Sequence, residues 1–397
     1  MATLPLEGIR VVDFTQALSG PYCTLLLADF GADVIKVERA GSGDDSRQWG
    51  PPFVGDTAAY FLSVNRNKRS VALDLKTEHD RQIAVQLVES ADVVVENWRP
   101  GTADRLGLGP DAMRTLNPRL VYCSISGFGN QSQRPGYDQV VQGTSGWMSV
   151  TGPRNGTPTK SGIPIADIAS GMFAAHSILA SLVRRHRTSE GAYIDIAMQD
   201  ALVSMLTYQA GSYFATGQPP QRNGNQHATL APYGTFDTAD GQVNISVGND
   251  RQWEQLCHVI AVPELAYDAR FKTNSDRVTN SVELRAELES RLTLEKTRNL
   301  LDAFHSAGVP AGAIRDLGEV LTDPDLAARG IILNSTHPRL GELKSPGSPW
   351  HIDGESSTAR LAPPDLGQHT DEVLEELNLL NLHARKGVES HLERDRV

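Results

Sequence analysis

Residues Ser161–Val183 read SGIPIADIASGMFAAHSILASLV, and this stretch decides the fold. Its apolar residues, among them Met172 and Ile178, recur at helical spacing, which predicts an extended segment that gives way to a buried helix near Asp167. Asp167 is the single acid in the stretch. The first N–H groups of a helix lack internal partners and carry the positive end of its dipole, so an anion is favoured there. Asp167 is therefore either a helix N-cap or an anionic functional group.

The composition of the chain predicts a globular protein with a large core. The chain has 397 residues, of which 40% are hydrophobic and 21% charged, and its formal net charge is −11. This acidic balance argues against non-specific binding of nucleic acid. The start, MATLPLEGIRVVDF, has no targeting pattern, and the apolar run Ile163–Val183 contains Asp167 and His176, which favours a core helix over a membrane span. We therefore expect a cytoplasmic protein without a nucleic-acid or membrane partner.

Cysteine and metal-ligand patterns give no sign of a metal site. The three cysteines, Cys23, Cys123 and Cys257, are odd in number and lack the close spacing of a zinc or redox motif. They are expected to be reduced thiols, and no metal is expected.

The order of predicted elements indicates an α/β fold. A β-rich run at Ile9–Phe14, an apolar helix and a strand at Val34–Val37 begin an alternation that continues to Ser126. Such alternation predicts a Rossmann-like domain with a mainly parallel sheet. The acid Glu38 ends the second strand, where a ribose-binding acid would stand, but the turn TQALSGP lacks the G-x-G-x-x-G fingerprint. A nicotinamide cofactor is therefore not expected.

A change of pattern marks a second domain. Thr216–Gln226 is rich in breaker residues, and Asp240-Gly241 beyond it is a hairpin signal followed by helical segments. We predict a large Rossmann-like domain, a smaller α+β domain and connections between them, with these boundaries: residues 1–215 for the large domain, 216–227 for a linker, 228–318 for the small domain, 319–330 for a returning linker and 331–397 for the C-terminal part of the large domain.

Seven stretches together resemble the family III coenzyme A transferases. The resemblance spans nearly the whole chain. Its motifs are GADVIKVER at Gly31–Arg39, NRNKRSVALDLK at Asn65–Lys76, VVVENWRPG at Val93–Gly101, SISGFG at Ser124–Gly129, IADIASG at Ile165–Gly171, IDIAMQDA at Ile194–Ala201 and GQHTDEVL at Gly367–Leu374.

The resemblance implies that Asp167 is the catalytic aspartate. Its carboxylate would attack an acyl-CoA thioester to give an acyl-aspartyl anhydride, from which the returning thiolate forms an aspartyl-CoA thioester. An acceptor acid then repeats these steps in reverse. Asp138 falls where a relative has a glutamate near the nucleophile and is expected to support it. The substrates implied are an acyl-CoA, for which succinyl-CoA is a common donor in the family, and a free carboxylic acid, with no tightly bound cofactor.

The resemblance also places the contacts to CoA and substrate. Positively charged residues are expected near the phosphates of CoA. Apolar and polar uncharged residues are expected beside the adenine, the pantetheine or the acyl group. The phosphate contacts are Arg39, Lys76 and Arg105, the other CoA contacts are Leu18, Leu73, Asn97, Trp98 and Tyr137, and the substrate pocket would contain Trp49, Tyr60 and His227.

Departures from the family pattern limit the substrate assignment. Leu18 stands where formyl-CoA transferase has a glutamine, and that enzyme's run of four glycines after the linker is missing here. These differences argue against the formyl-CoA and oxalate pair.

Two other functions stay open alongside the transferase: an α-methylacyl-CoA racemase and a CoA-binding protein without turnover. The racemase needs two acid–base groups, and one of them is a histidine. This chain has Tyr137 at that position. The unperturbed pKa of tyrosine is about 10, against about 6.5 for histidine, so tyrosine is a poor base at neutral pH. Retention of Asp167 argues against the silent binder. Family members also form homodimers whose chains thread through each other, so an interlocked homodimer is expected.

Overall fold

The computed structural model describes residues 4–378, which divide into two compact units. The first unit contains residues 4–147, 161–214 and 324–378, and the second contains residues 148–160 and 215–323. Residues 379–397, which the sequence assigned to the C-terminal part of the large domain, lie outside the described residues.

The first part of the chain alternates strands and helices. The strands are β1 (Arg10–Asp13), β2 (Asp33–Arg39), β3 (Phe53–Val54), β4 (Thr57–Ala58), β5 (Lys68–Leu73), β6 (Val93–Glu96), β7 (Val121–Ser126) and β8 (Ala192–Ala197). The helices are α1 (Ser19–Asp29), α2 (Ala59–Val64), α3 (Glu78–Glu89), α4 (Thr102–Arg105), α5 (Pro110–Leu116), α6 (Asp138–Thr144), α7 (Trp147–Val150), α8 (Ile165–Thr188), α9 (Met198–Ser204) and α10 (Thr207–Thr216), with a 3-10 turn at Asp45–Gln48.

The remaining elements begin at Tyr233. The strands are β9 (Tyr233–Asp237), β10 (Gln242–Ser246), β11 (Ala311–Ala313), β12 (Ile332–His337), β13 (Gly341–Pro346), β14 (His351–Ile352) and β15 (Glu355–Ser356). The helices are α11 (Asp250–Val259), α12 (Asn274–Thr279), α13 (Ser281–Leu292), α14 (Thr297–Ala307), α15 (Leu317–Leu321), α16 (Pro324–Ala328) and α17 (Thr370–Glu376), with a 3-10 turn at Pro263–Tyr267.

The first unit is built on a six-stranded sheet in the order β5-β2-β1-β6-β7-β8. Every neighbouring pair is parallel, as shown by registers such as Val11 opposite Val34 and Val12 opposite Val94. The chain runs outward from β1 on one side through β2 and β5, then returns to β6 on the other side of β1. This is the Rossmann strand order, and the reversal leaves a crevice at the carboxyl ends of β1 and β6. The predicted α/β class is confirmed.

Hydrophobic clusters cover both faces of this sheet, because its strands are rich in valine and isoleucine. One cluster joins the strands to α1, α8 and α9, and the other joins them to α3, α5 and α17. Gly171 lets α8 approach α1 closely, since a Cβ there would lie 2.6 Å from the carbonyl oxygen of Ser19. Length and composition alone would let α8 cross a membrane. Its packing on α1 and on β7 and β8 is that of a core helix.

The second unit has its own core under a three-stranded antiparallel sheet in the order β11-β10-β9. The predicted hairpin is present, with Gln242 opposite Asp237, and Gly308 ends α14 with a φ of 71°. The helical segment that follows β8 is broken into α9 and α10, with Thr207 at a φ of 38°.

Candidate active site

Asp167 is the third residue of α8, which begins at Ile165. Pro164 occupies the N-cap position and makes no side-chain capping hydrogen bond, so the interpretation of Asp167 as the N-cap is wrong. The carboxylate lies within the first turn instead. There it is close to the first N–H groups of the helix and to the positive end of the helix dipole, which stabilise an anion.

Asp138, the first residue of α6, caps α8 from a distant part of the chain. Its Oδ1 atom accepts a hydrogen bond from the N–H of Ala166 at 2.8 Å. Its Oδ2 atom accepts one from Nε2 of Gln142 at 2.7 Å, and Oε1 of Gln142 accepts the N–H of Ser161 at 2.8 Å. This chain of bonds fixes both the start of α8 and the segment that leads into it.

The carboxyl group of Asp167 resists ionisation. Burial is the larger cause and the negative charge of Asp138 the second, and together they raise the pKa of Asp167 to about 7. A carboxyl group that titrates near neutral pH is typical of a functional site. Such a group is more basic than an ordinary aspartate, yet a large fraction of it is ionised at neutral pH.

Asp167 lines a cavity of about 220 Å³ within the first unit. The loops after β1 and β6 contribute Gln16 and Asn97 to its wall, so the cavity lies at the crevice where the strand order reverses. The full set of lining residues is Gln16, Ala17, Ser19, Asp45, Trp49, Asn97, Trp98, Arg99, Pro100, Ile125, Ser126, Gly127, Arg134, Pro135, Gly136, Tyr137, Asp167 and Met198.

Five predicted site residues therefore meet around one cavity: Trp49, Asn97, Trp98, Tyr137 and Asp167. They come from segments up to 118 positions apart in sequence, which the sheet topology brings together. Tyr137 is 69% exposed. It therefore lies at the open side of the cavity.

Tyr60 and Leu18 lie in the packing around this cavity. The ring of Tyr60 meets that of Trp49 edge to face, with centroids 5.2 Å apart. Burial, followed by the charges of Asp167 and Asp138, raises the pKa of Tyr60 to about 12. Leu18 is buried at the N-cap position of α1 and shares a small apolar cluster with Tyr60. Both residues thus support the walls of the site.

Asn97 is bonded to the loop after β1. Its Oδ1 accepts the N–H of Gln16 at 2.9 Å, and its Nδ2 donates to the carbonyl oxygen of Gln16 at 2.8 Å. The next residue, Ala17, has a φ of 66°, which is a left-handed backbone conformation that residues other than glycine seldom adopt. The amide of Asn97 therefore holds a strained segment of the cavity wall.

A buried network of charged residues also holds the loop after β1, and the sequence did not predict this network. Nζ of Lys36 lies 2.9 Å from Asp44 and donates to the carbonyl oxygen of Thr15 at 2.8 Å. Oδ1 of Asp44 accepts the N–H of Ala17 at 3.1 Å. A lysine with apolar neighbours on both sides in a strand, as in the VIKV part of DVIKVER, is the signal that could have indicated it.

A second buried pair joins this network. Nζ of Lys68 lies 3.2 Å from Asp13. Burial opposes ionisation of Asp13, but the charges of Lys68 and Lys36 and the hydrogen bonds from Thr15 and Thr24 together lower the pKa of Asp13 to about 2. Burial lowers the pKa of Lys68 to about 8 despite the attraction of Asp13. Glu38, at the ribose-binding position, is also engaged: Arg47 and Ser70 donate to it at 2.7 and 2.6 Å.

Comparison with known proteins identifies the family. Residues 6–370 match the family model described as CoA-transferase family III. The chain belongs to this family. It is an enzyme that transfers CoA, as the resemblance implied.

Characterised relatives and a solved structure agree with this membership. The chain is 39% identical over 376 residues to the human succinyl-CoA:glutarate CoA-transferase, covering 94% of this chain and 86% of that one. It is 42% identical over 354 residues to the acetyl-CoA:oxalate CoA-transferase of Acetobacter aceti, covering 88% and 90%. A CAIB/BAIF family protein from Brucella suis has the same fold, with a TM-score of 0.84, 39% identity and coverage of 95% and 100%.

The predicted phosphate contacts of this CoA-transferase lie outside the cavity lining. Arg39 ends β2, and its Nη1 lies 3.5 Å from Asp45, which does line the cavity. Arg105 is exposed and donates to Oγ1 of Thr102 at 2.8 Å. Lys76 is exposed after β5. Their assignment to CoA phosphates stays a prediction.

Leu73 and His227 occupy different parts of the enzyme. Leu73 is 1% exposed and belongs to the core cluster against which Trp98 packs. His227 belongs to the second unit, where its ring centroid lies 5.0 Å from that of Tyr233 and its Nδ1 accepts the N–H of Thr229 at 3.2 Å. His227 lines a separate cavity within that unit.

Several lining residues were not singled out from the sequence. Ser126 and Gly127 lie in the SISGFG motif, which served only to indicate the family, and Arg134 and Gly136 lie shortly before Asp138. The guanidinium of Arg134 lies 3.8 Å from the ring centroid of Phe128. These two segments mark the ends of a loop that returns to the cavity.

Proposed function

We propose that this enzyme moves CoA from a dicarboxylic acyl-CoA, succinyl-CoA first among candidates, to a free dicarboxylic acid, with Asp167 as the nucleophile. The observation that supports this most strongly is the carboxyl group of Asp167, which lines the cavity with a pKa raised to about 7. Relatives named for succinyl-CoA with glutarate or mesaconate support the substrate class.

The first half of the proposed reaction transfers the donor acyl group and then CoA to Asp167. An ionised oxygen of Asp167 attacks the thioester carbonyl, and the C–S bond breaks. The CoA thiolate is released, and the donor acyl group and Asp167 form an acyl-aspartyl anhydride. The thiolate then attacks the aspartyl carbonyl of the anhydride. The donor acid departs as a carboxylate, and Asp167 carries CoA as a thioester.

The second half reverses these steps with the acceptor. A carboxylate oxygen of the acceptor attacks the aspartyl thioester and expels the thiolate, which gives a new anhydride. The thiolate then attacks the acceptor's acyl carbonyl, releasing the new acyl-CoA and the free carboxylate of Asp167. Bonds of similar energy are exchanged throughout, so positioning and charge stabilisation supply the rate enhancement.

The raised pKa of Asp167 suits this chemistry. A carboxylate that is more basic attacks a carbonyl more readily, and burial removes part of the water that would weaken it. Asp138 has two roles in the proposal. It fixes the start of α8 through Ala166, and its charge keeps the basicity of Asp167 high.

The test is a CoA exchange experiment with the purified enzyme. Succinyl-CoA is incubated with glutarate, mesaconate, oxalate or acetate, and new acyl-CoAs are identified by mass spectrometry. We expect transfer to at least one dicarboxylic acid, less to acetate, and none with Asp167→Ala. An Asp111→Ala variant, which removes an exposed acid from the first turn of α5, serves as the control and should keep full activity. Transfer to none of the acids would contradict the proposed substrate class.

A further inference from the structure

Ser126 stands out among the residues around Asp167. It is the last residue of β7, a strand between β6 and β8, and it lines the same cavity as Asp167. The carboxyl ends of parallel strands are where open α/β sheets bind ligands. Ser126 is therefore placed to meet a molecule bound in the cavity.

The hydroxyl of Ser126 is buried without a partner. Ser126 is 8% exposed, and within residues 4–378 its Oγ atom makes no hydrogen bond. Buried hydroxyl groups are nearly always hydrogen-bonded, because an unpaired one loses its bonds to water without replacement. An exception at the wall of an active-site cavity points to a ligand as the missing partner.

Ser124 provides the contrast on the same strand. It lies two residues earlier, so its side chain shares a face with that of Ser126. Its hydroxyl bonds to Glu96 and to Tyr193. Of these two buried serines, the one that ends the strand at the cavity is the one whose hydroxyl bonds to none of the residues that the structure describes.

The backbone around Ser126 is held tightly. A Cβ atom on Gly127 would lie 2.6 Å from the Cα atom of Gly136, so the two glycines bring distant parts of the loop into direct contact. Gly136 is two residues before Asp138, whose side chain caps α8. This packing fixes the end of β7 relative to the segment that supports Asp167.

We propose that Ser126 is a substrate-binding residue whose hydroxyl donates a hydrogen bond to a carbonyl oxygen of the acyl-CoA bound beside Asp167. The inference rests on the proposed function. Two sources supply such an oxygen: the thioester carbonyl and the amide carbonyls of the pantetheine arm. The thioester oxygen gains negative charge as Asp167 attacks, so a donor to it strengthens in the transition state.

The variant Ser126→Ala tests the inference and separates the two sources. If the Ser126 hydroxyl bonds to the thioester carbonyl, the variant lowers kcat about 10- to 100-fold and changes the Kd of CoA by no more than about twofold. If the Ser126 hydroxyl bonds to a pantetheine carbonyl, the variant weakens CoA binding about 10-fold and leaves kcat nearly unchanged. Either result supports donation by Ser126. Unchanged kcat, KM and Kd would overturn it.

Stability distinguishes a binding role from a structural one. Removing a hydroxyl that bonds to none of the described residues leaves the Tm of Ser126→Ala unchanged or higher. Ser126→Thr keeps a hydroxyl and recovers part of the lost activity. Ser357 supplies the control, because it is 2% exposed and outside the cavity lining, and its hydroxyl donates to Ser348 at 3.0 Å. Ser357→Ala lowers the Tm and leaves turnover per folded molecule intact.

A lower Tm for Ser126→Ala, with activity lost only in proportion to unfolded protein, would also overturn the inference. Its failure is distinguishable from failure of the proposed function. If Asp167→Ala is inactive and Ser126→Ala is fully active, only the role of Ser126 is wrong. If Asp167→Ala keeps full activity, the proposed function itself is wrong.

Discussion

Oδ1 of Asp138 accepts the N–H of Ala166 at 2.8 Å, one residue before Asp167. The same carboxylate raises the pKa of Asp167 by its charge. One side chain therefore both fixes the start of α8 and tunes the proposed nucleophile. The two effects can be separated, because an asparagine keeps an oxygen that accepts the N–H of Ala166 but loses the charge, together with the bond from Gln142.

Asp138→Asn should shift the pH profile of the reaction. Removal of the neighbouring charge lowers the pKa of Asp167 from about 7, although burial, the larger cause, keeps it above 3.8. Because the ionised form attacks, the acid limb of kcat/KM should move to lower pH. Asp138→Ala also loses the cap and should cost about 1 kcal/mol of stability. An acid limb that stays in place in Asp138→Asn would contradict the electrostatic role.

Asp167→Asn should stabilise the fold in a pH-dependent way. A raised pKa means that the folded state holds its proton more tightly than the unfolded state does. The ionised carboxyl then costs stability as pH rises from 3.8 towards 7, and the full cost is present above about pH 7. Urea unfolding should show a gain of about 1–2 kcal/mol for Asp167→Asn at pH 8, allowing for partial exposure, and a smaller gain at pH 5. Equal gains at both pH values would be inconsistent with this linkage.

Arg105→Ala should weaken CoA binding in a salt-dependent manner. Arg105 is exposed, so its attraction to a phosphate is screened within a Debye length of about 10 Å at 0.1 M salt. We expect the Kd of CoA to rise about 10-fold at low salt and the difference from the parent enzyme to narrow as salt is added. Calorimetric titration at several salt concentrations measures the Kd of CoA and its dependence on salt. Arg291→Ala, an exposed arginine of the second unit, is the control. The same affinity for CoA in the Arg105 variant would remove Arg105 from the phosphate site.

The enzyme is predicted to form an interlocked homodimer. Besides the family resemblance, α8 leaves apolar side chains exposed, with Met172 at 42%, Phe173 at 39% and Val183 at 65%, a surface that a second copy could cover. Light scattering over a dilution series should find dimers until the protein unfolds, since threaded chains cannot separate while folded. Folded monomers at low concentration would refute the interlocking.

Local patterns predicted the α/β fold well, because apolar strands such as VVVE and the alternation with helices are properties of short segments. The motif IADIASG led to Asp167. The lysine within VIKV could have indicated a buried charge, but the ion-pair partners of Lys36 and Lys68, which are Asp44 and Asp13, could not be predicted, because the tertiary packing sets them. That the Ser126 hydroxyl bonds to no residue in the range 4–378 is likewise a property of the tertiary packing alone.

The most direct test is chemical trapping of the intermediate on Asp167. The enzyme is incubated with succinyl-CoA without an acceptor, treated with hydroxylamine, digested and analysed by peptide mass spectrometry. Both proposed intermediates are activated carboxyl derivatives, so hydroxylamine should convert Asp167 to a hydroxamate, with no such product when succinyl-CoA is omitted. An unmodified Asp167 in enzyme that is transferring CoA, or full activity in Asp167→Ala, would contradict the role of Asp167 as nucleophile.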